Sequence, residues 1–515
     1  MKPGPYVAAI DLGTTRIKVG IFDLAGSLLA STSREQSLLF PAAGRVEQDP
    51  HRTWALQCEA LREALARAEV APEGVEAVTL SVQRGTVIAL DGSGEPLTNH
   101  IVWMDQRGVA RLEEARRAVG PERYYDTAGH PLVPYTGLSK VLWLQRDAPD
   151  LFSRSRVVGP PQTLYLRWLG ADELLCDTSV ATFFGPFDIR RMDWSDDLLA
   201  ALALPREKLP RITPSVTVAG AVSQRAAEAC GLRVGTRVIA GGGDGQCAGA
   251  GSGVTVPGRV MVNIGTAAGV QVFLAEPRLD PRRVLNCGAH VVTGAWEMEG
   301  HTQASGAVFR WVRDELARDQ AQHAQGIESA YDRLAQEAAA VPPGAEGLLV
   351  LPTFNGVSAP FIRPEFRGAI LGLGLAHTRA HIIRAVLEGI SLEIRWMLEA
   401  VREAGGEVSE VRLVGGGSLS PVWNQIHADV LGLPVTTLDV ADAAVTGAAI
   451  CAAVSMGAYR DFHAAAEVFA RPRERFEPTQ RHAAFYEDLY GAYRHLVEIL
   501  DQGGIFQRLG RVKPR

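Results

Sequence analysis

Two carboxylates in this chain are placed to do chemistry. Asp11 closes an apolar run in AAIDLGTTRIKVGIFD (residues 8–23), where a strand gives way to a Gly-Thr-Thr corner and a second strand follows. Such a corner offers backbone N–H groups and hydroxyls without bulky side chains, an arrangement that suits phosphate oxygens, and glycine lets the backbone come close. A carboxylate one strand-end away is placed to hold Mg²⁺ directly or through water, because Mg²⁺ takes one or two carboxylates together with phosphate and water. A plain hairpin turn with a surface Asp is the competing reading. Asp244 ends RVIAGGGD (237–244) after three glycines, so backbone can approach a ligand beside it. Burial there would raise its pKa toward use as a general base. The alternative is a loop Asp capping the next helix.

The corner has a second copy. IDLGT (10–14) aligns with VNIGT (262–266), which pairs Thr14 with Thr266 and Asp11 with Asn263. Two such tips facing each other would grip one nucleotide polyphosphate from both sides. The repeat predicts two related domains, 1–253 and 254–515, divided in the Gly-rich stretch GGGDGQCAGAGSG (241–253). No GxxxxGK[ST] occurs, which excludes a P-loop enzyme. LVGGGSLSPVW (413–423) is either a backbone seat for a ring or phosphate or a close strand-to-helix turn. A dinucleotide fingerprint does not fit it, since no suitably placed acid follows. HTRAH (377–381) has histidines four apart but lacks the Glu of a zinc helix and any evident third ligand, so it reads as surface.

The elements that must carry these groups are legible in outline. At 515 residues the chain exceeds one hydrophobic core. Short β-rich runs (6–12, 16–23, 76–82, 86–90) alternate with helices, such as one near 50–68 opened by Asp49-Pro50, and this order predicts α/β with a mixed sheet. Apolar positions 383, 387, 390, 394, 397 and 401 keep helical spacing and predict a core helix over 378–403, stopped by Gly405-Gly406. The charged segment beyond about 460 reads as a helical cover. A net charge of -6 gives no reason to expect nucleic acid or anionic membrane as partner. Six cysteines without a CxxC, no signal-peptide pattern and no apolar run of membrane-spanning length predict a reduced, cytoplasmic protein.

With these motifs in place, the chain resembles the FGGY carbohydrate kinases of the actin/hexokinase/heat-shock-ATPase superfamily. IDLGTTRIKVGIFD (10–23) is similar to the family's first phosphate motif and VNIGTAAG (262–269) to its second. GAILGLGLAHTRAHIIRAVLE (368–388) resembles the C-terminal signature position by position. TGLSKVLWLQRD (136–147) is close to the N-terminal signature and departs from it at Asp147. PTFNGVSAPFIRPEFRGAILGL (352–373) resembles the Pro-rich loop, with Arg363 where many members carry Asp or Asn, and the 413–435 segment the adenine-side Gly loop. The resemblance runs from about residue 6 to 460. It implies two RNase H-like domains facing each other across a central cleft, and ATP-dependent phosphorylation of a sugar or polyol hydroxyl with Mg²⁺. By carry-over, Asp244 is similar to the general base and Asp11 to the Mg²⁺-linked carboxylate. Thr14, Thr15, Gly265 and Thr266 resemble the phosphate contacts. Gly306, Gly416 and Gly417 fall where the family holds the nucleoside. Dimers are common among such relatives, and nothing in the sequence locates an interface.

The acceptor is less sharply marked. Gln83 and Arg84 stand where xylulose kinases usually show Met-His, and Arg84 is followed by Gly85 where glycerol kinases show Glu. Trp103, Asp105 and Arg107 resemble the W-x-D-x-R of xylulose-type members, as do the segments 176–199 and 219–232. Arg84 would bind a carboxylate or hydroxyls, or else be a salt-bridged surface residue. The resemblance favours a ketopentose such as xylulose, with Gln83, Arg84, Trp103, Asp105 and Asp244 on the substrate. A glycerol, polyol or sugar-acid kinase is the alternative within the family. A non-catalytic nucleotide-binding sensor is the alternative of another class, and the presence of Asp244 weighs against it.

Overall fold

The computed structural model describes residues 4–318, 327–440 and 442–511. Two sheets dominate it, and they repeat one plan. In the first, the strand order is Val218–Ala221, Arg237–Gly243, Val75–Val82, Tyr6–Leu12, Arg16–Asp23, Leu28–Glu35. In the second, it is Pro472–Phe476, Val435–Leu438, Val408–Val414, Gly258–Ile264, Ala268–Leu274, Trp296–His301, with Asn286–Ala289 added at the far edge. The directions agree as well. Each sheet has two successive antiparallel pairings at one side, parallel strands in the middle and one antiparallel strand at the other end. The five-residue likeness of IDLGT and VNIGT is therefore the visible trace of a six-strand repeat, with both corners at the same place in the plan.

Local chemistry explains the helices that frame the sheets. Asp49 caps Pro50–Ala68, its Oδ1 accepting from the N–H groups of His51 and Arg52. The long helix spans Arg379–Glu403, and all six apolar positions read from its spacing are buried. HTRAH has a structural use here. His381 and Thr378 form a capping box at the start of that helix, and His377 accepts from the Gly374 N–H at 2.7 Å. Arg363 pairs with Asp501 through two hydrogen bonds of 2.6 and 2.9 Å, tying the Pro-rich loop to the C-terminal helix Ala483–Gln502.

Two helices hold the halves together. Asp244–Gly251 follows the last parallel strand of the first sheet, and Ala443–Ser455 follows its counterpart in the second. They cross at van der Waals contact through small residues. A Cβ at Gly447 would sit 1.8 Å from the Cys247 carbonyl oxygen, and one at Gly251 would sit 1.9 Å from that of Ala443. Ala443–Ser455 also packs under the first sheet, sharing one apolar cluster with Val7, Ala9, Ala77 and Ile239. No described helix is long and apolar enough to cross a membrane.

The second half also carries a buried acid. Glu393 lies in the long helix, 3% exposed, and among the described residues nothing hydrogen-bonds its Oε2. Burial pushes its carboxyl up to about 8. The folded state therefore keeps a proton that the unfolded chain releases near 4.5, and stability falls as pH rises between those values. The slope limit is about 1.4 kcal/mol per pH unit. Glu393→Met removes the titration and keeps the volume. Its unfolding midpoint should exceed that of the wild type by a margin that widens from pH 5 to pH 8.5, and a constant margin would refute this account.

Candidate active site

Between the sheets lies a cleft of about 540 Å³ whose lining includes Asp11, Gly13, Lys18, Arg84, Asp244, Gly265, Glu299 and Asp442. Both corner glycines thus face one space. Asp11 ends its strand opposite Lys18 of the hairpin partner and beside Ser81 of the parallel neighbour. Its Oδ1 accepts from Ser81 Oγ at 2.7 Å, and Lys18 Nζ stands 3.9 Å from Oδ2 while also bonding Asp442. Burial pushes the Asp11 carboxyl up to about 7, Asp442 adds to the rise, and Lys18 and Ser81 act against it. Two acids sharing one lysine leave a deficit of positive charge that a divalent cation fits. Among the described residues no group of three or more His, Cys, Asp or Glu is arranged to hold a metal. A cation at Asp11 would accordingly complete its shell with phosphate and water, the usual habit of Mg²⁺.

Asp244 opens its helix and faces the cleft with one oxygen occupied. Oδ1 accepts from the Gly245 N–H at 2.8 Å and from Arg84 Nε at 3.2 Å. Among the described residues, Oδ2 has no hydrogen-bond partner. The burial expected for this residue is not found. Its side chain keeps 39% exposure, whereas Asp11 and Glu299, which line the same cleft, are buried.

Arg84 is neither a surface residue nor free to grip a carboxylate. Its side chain is 15% exposed, and its Nη1 bonds both oxygens of Glu299 at 3.1 Å. It also lies 4.0 Å from Glu297 and sits over the Phe183 ring at 4.2 Å. Glycines make the room it needs. A Cβ at Gly243 would fall 2.9 Å from its Cδ, and one at Gly245 would fall 2.7 Å from Nη2. Glu297 is fully buried and accepts from Gln246 at 2.8 Å and Gln271 at 2.6 Å. Burial and the neighbouring Glu299 raise its carboxyl above the usual range. Burial also works to raise Glu299, but the Arg84 charge and His301 outweigh it and hold Glu299 below that range.

The remaining expected residues divide into groups. Gly265 and Thr266 line a second cavity of about 590 Å³ with Gly306, Gly416, Gly417, Phe309, Tyr331 and Trp423. Gly265 borders both cavities, so the two spaces meet at the second corner. Thr14 turns away from the shared cleft. Its hydroxyl receives the Trp103 Nε1–H at 2.9 Å and donates to Gln83 Oε1 at 2.9 Å. Thr15 is exposed at the tip, and its carbonyl takes the Gln36 N–H. Asp105 requires correction. It is fully buried, with Oδ1 on Arg107 and Oδ2 on the Val46 N–H and Arg107, so it braces a turn and presents no oxygen to the cleft. Sequence reasoning missed Lys18, Asp442, Glu297, Glu299 and His301. Glu297 and Glu299 stand two apart in WEMEG, and that period places both on one face of a strand.

Comparison with known proteins agrees with this geometry. The N-terminal domain model of the FGGY family of carbohydrate kinases matches residues 6–251, and the C-terminal domain model matches 260–456. The chain is 28% identical over 492 residues to a xylulose kinase of Bacillus subtilis, covering 95% of this chain and 96% of that protein. It is 33% identical over 494 residues to a glycerol kinase of Methylibium petroleiphilum, covering 92% and 95%. A crystal structure of xylulose kinase from Rhodospirillum rubrum superposes with a TM-score of 0.87 at 29% identity, over 98% of this chain and all of that one. With its two-sheet architecture and both domain models matched, over residues 6–251 and 260–456, the chain belongs to the FGGY family of carbohydrate kinases, enzymes that transfer phosphate from ATP to a sugar or polyol.

Proposed function

We propose that this kinase phosphorylates a hydroxyl of a small linear sugar, a ketopentose such as xylulose. Residues 1–253 form the acceptor side and 254–515 the nucleotide side. The observation that carries the reading is the junction at Gly265. One ligand can lie with its base in the cavity of Gly306, Gly416 and Gly417 and its phosphates past Gly265, ending in the cleft beside Asp11 and Asp244. Phosphoryl transfer needs chiefly alignment and charge stabilisation, and the two facing corners provide the alignment.

Asp244 Oδ2 accepts the acceptor's hydroxyl proton as that oxygen attacks the γ-phosphorus and the bond from phosphorus to the β–γ bridging oxygen breaks, releasing ADP, while Oδ1 stays fixed by Gly245 and Arg84. Asp11 is the residue that would hold Mg²⁺, and the ion would supply positive charge to offset that of the phosphates. Closure of the two halves over bound acceptor would exclude the water that otherwise competes with the sugar hydroxyl. Gly85 favours a ketopentose over glycerol. Its φ is +69°, and a Cβ there would lie 2.0 Å from the Tyr135 carbonyl oxygen, so the acid found at this place in glycerol kinases has no room.

A panel of pentuloses, polyols and sugar acids with ATP and Mg²⁺, read by coupled ADP detection, tests the proposal. A ketopentose is expected to give a kcat/KM at least about tenfold above glycerol, since losing a hydrogen-bonding acid is worth that much. ATP hydrolysis with no dependence on any panel member would reject the proposal in favour of a nucleotide-binding sensor.

A further inference from the structure

The residues lining the cleft include four carboxylates, Asp11, Asp244, Glu299 and Asp442, and two permanent cations, Lys18 and Arg84. Lys18 is engaged with Asp442 and Asp11. Arg84 is the cation on the acceptor side, and three acids surround it. Asp244 is at 3.2 Å, Glu299 at 3.1 Å and Glu297 at 4.0 Å. Glu299 comes from the second sheet, so this contact spans the two halves. It uses both carboxylate oxygens on one guanidinium nitrogen, and His301 Nε2 lies 3.5 Å from Oε1 of the same carboxylate.

We infer that Glu299 sets acceptor specificity: by occupying the Arg84 guanidinium it reserves the acceptor end of the cleft for uncharged polyhydroxy compounds and turns away sugar acids. The inference rests on the kinase reading above. An arginine free of acids would be a bidentate seat for a substrate carboxylate. Here that seat is filled from within the protein, and a second carboxylate would meet Glu299 and Asp244, whose two charges already exceed the single charge of Arg84. Such rejection by an unpaired charge is a common way for a site to discriminate between close analogues. Among the described residues, the hydrogen bonds of Arg84 run through Nε and Nη1 and none through Nη2. It donates to a neutral hydroxyl oxygen at no electrostatic penalty.

Matched pairs of ketose and aldonate, one pair of five carbons and one of six, separate the possibilities. Binding is measured by calorimetry with a non-hydrolysable ATP analogue, and turnover by ADP release, for the wild type, Glu299→Gln and Glu299→Asp. The wild type should favour the ketose. Glu299→Gln should move the aldonate-to-ketose affinity ratio toward the acid by about 10- to 100-fold, and Glu299→Asp, which keeps the charge, should stay near the wild type. A ratio unchanged in Glu299→Gln overturns the inference. Wild-type binding of an aldonate as tight as its ketose, or of neither member of any pair, overturns it without recourse to a variant. If the ratios shift in binding while no acceptor is turned over, the kinase reading falls and the specificity assignment stands.

Discussion

Asp244→Asn should lower kcat for sugar-dependent ADP release by about 10³-fold, the middle of the range for loss of a general base. That corresponds to about 4 kcal/mol of lost transition-state stabilisation. The substitution is chosen because Asn keeps an oxygen for the Gly245 N–H and Arg84 Nε, so the loop geometry survives. What disappears is the basicity of Oδ2. The cavity proposed for the nucleotide is lined by Gly306, Gly416 and Gly417 and not by this residue, so ATP affinity read by calorimetry should remain within about threefold, under 1 kcal/mol. Turnover within a few-fold of wild type would remove Asp244 from the role of base. Loss of ATP binding together with turnover would mean that its effect is structural.

The second large effect belongs to the helix crossing. Gly447→Ala is expected to destabilise the protein by about 3 kcal/mol, the upper part of the range for overpacking. The new methyl would fall 1.8 Å from a backbone oxygen of Cys247, and a backbone carbonyl in the opposing helix cannot rotate out of the way. The two helices must separate, and with them the apolar contacts under the first sheet. Gly491→Ala in the C-terminal helix is the matched control. No atom lies within 4 Å of its added carbon, and alanine is the better helix former, so it should stabilise by roughly 0.5–1 kcal/mol. Thermal unfolding of both variants checks the pair. Equal effects would show that crowding at the crossing is not what decides.

What the sequence disclosed was local, and what it hid was long-range. An apolar strand ending in Gly-Thr announces a tight corner wherever it occurs, so Asp11, Gly13 and Gly265 were readable from neighbours alone. The helix Arg379–Glu403 was readable for the same reason, since its stripe and its stop lie within one segment. The six-strand repeat was not, because it depends on pairings such as Tyr6–Leu12 with Val75–Val82, which no short motif records. Asp105 sits in a turn, where the direction of a side chain has no period to betray it, and it points at Arg107 rather than at the cleft. Glu299 reads in isolation as one acid on an ordinary strand. Its importance comes from Arg84, 215 positions earlier in the chain.

The helix Ala443–Ser455 has a consequence for how the molecule comes into being. Its apolar side completes the underside of a sheet whose own strands were all laid down by Gly243. During synthesis, the leading half would emerge with that surface bare and would wait for roughly two hundred further residues to be translated before it could be covered, an interval of tens of seconds at the lower ribosomal speeds. The two lobes therefore do not ripen one after the other like beads. The first is finished only by the last third of the second.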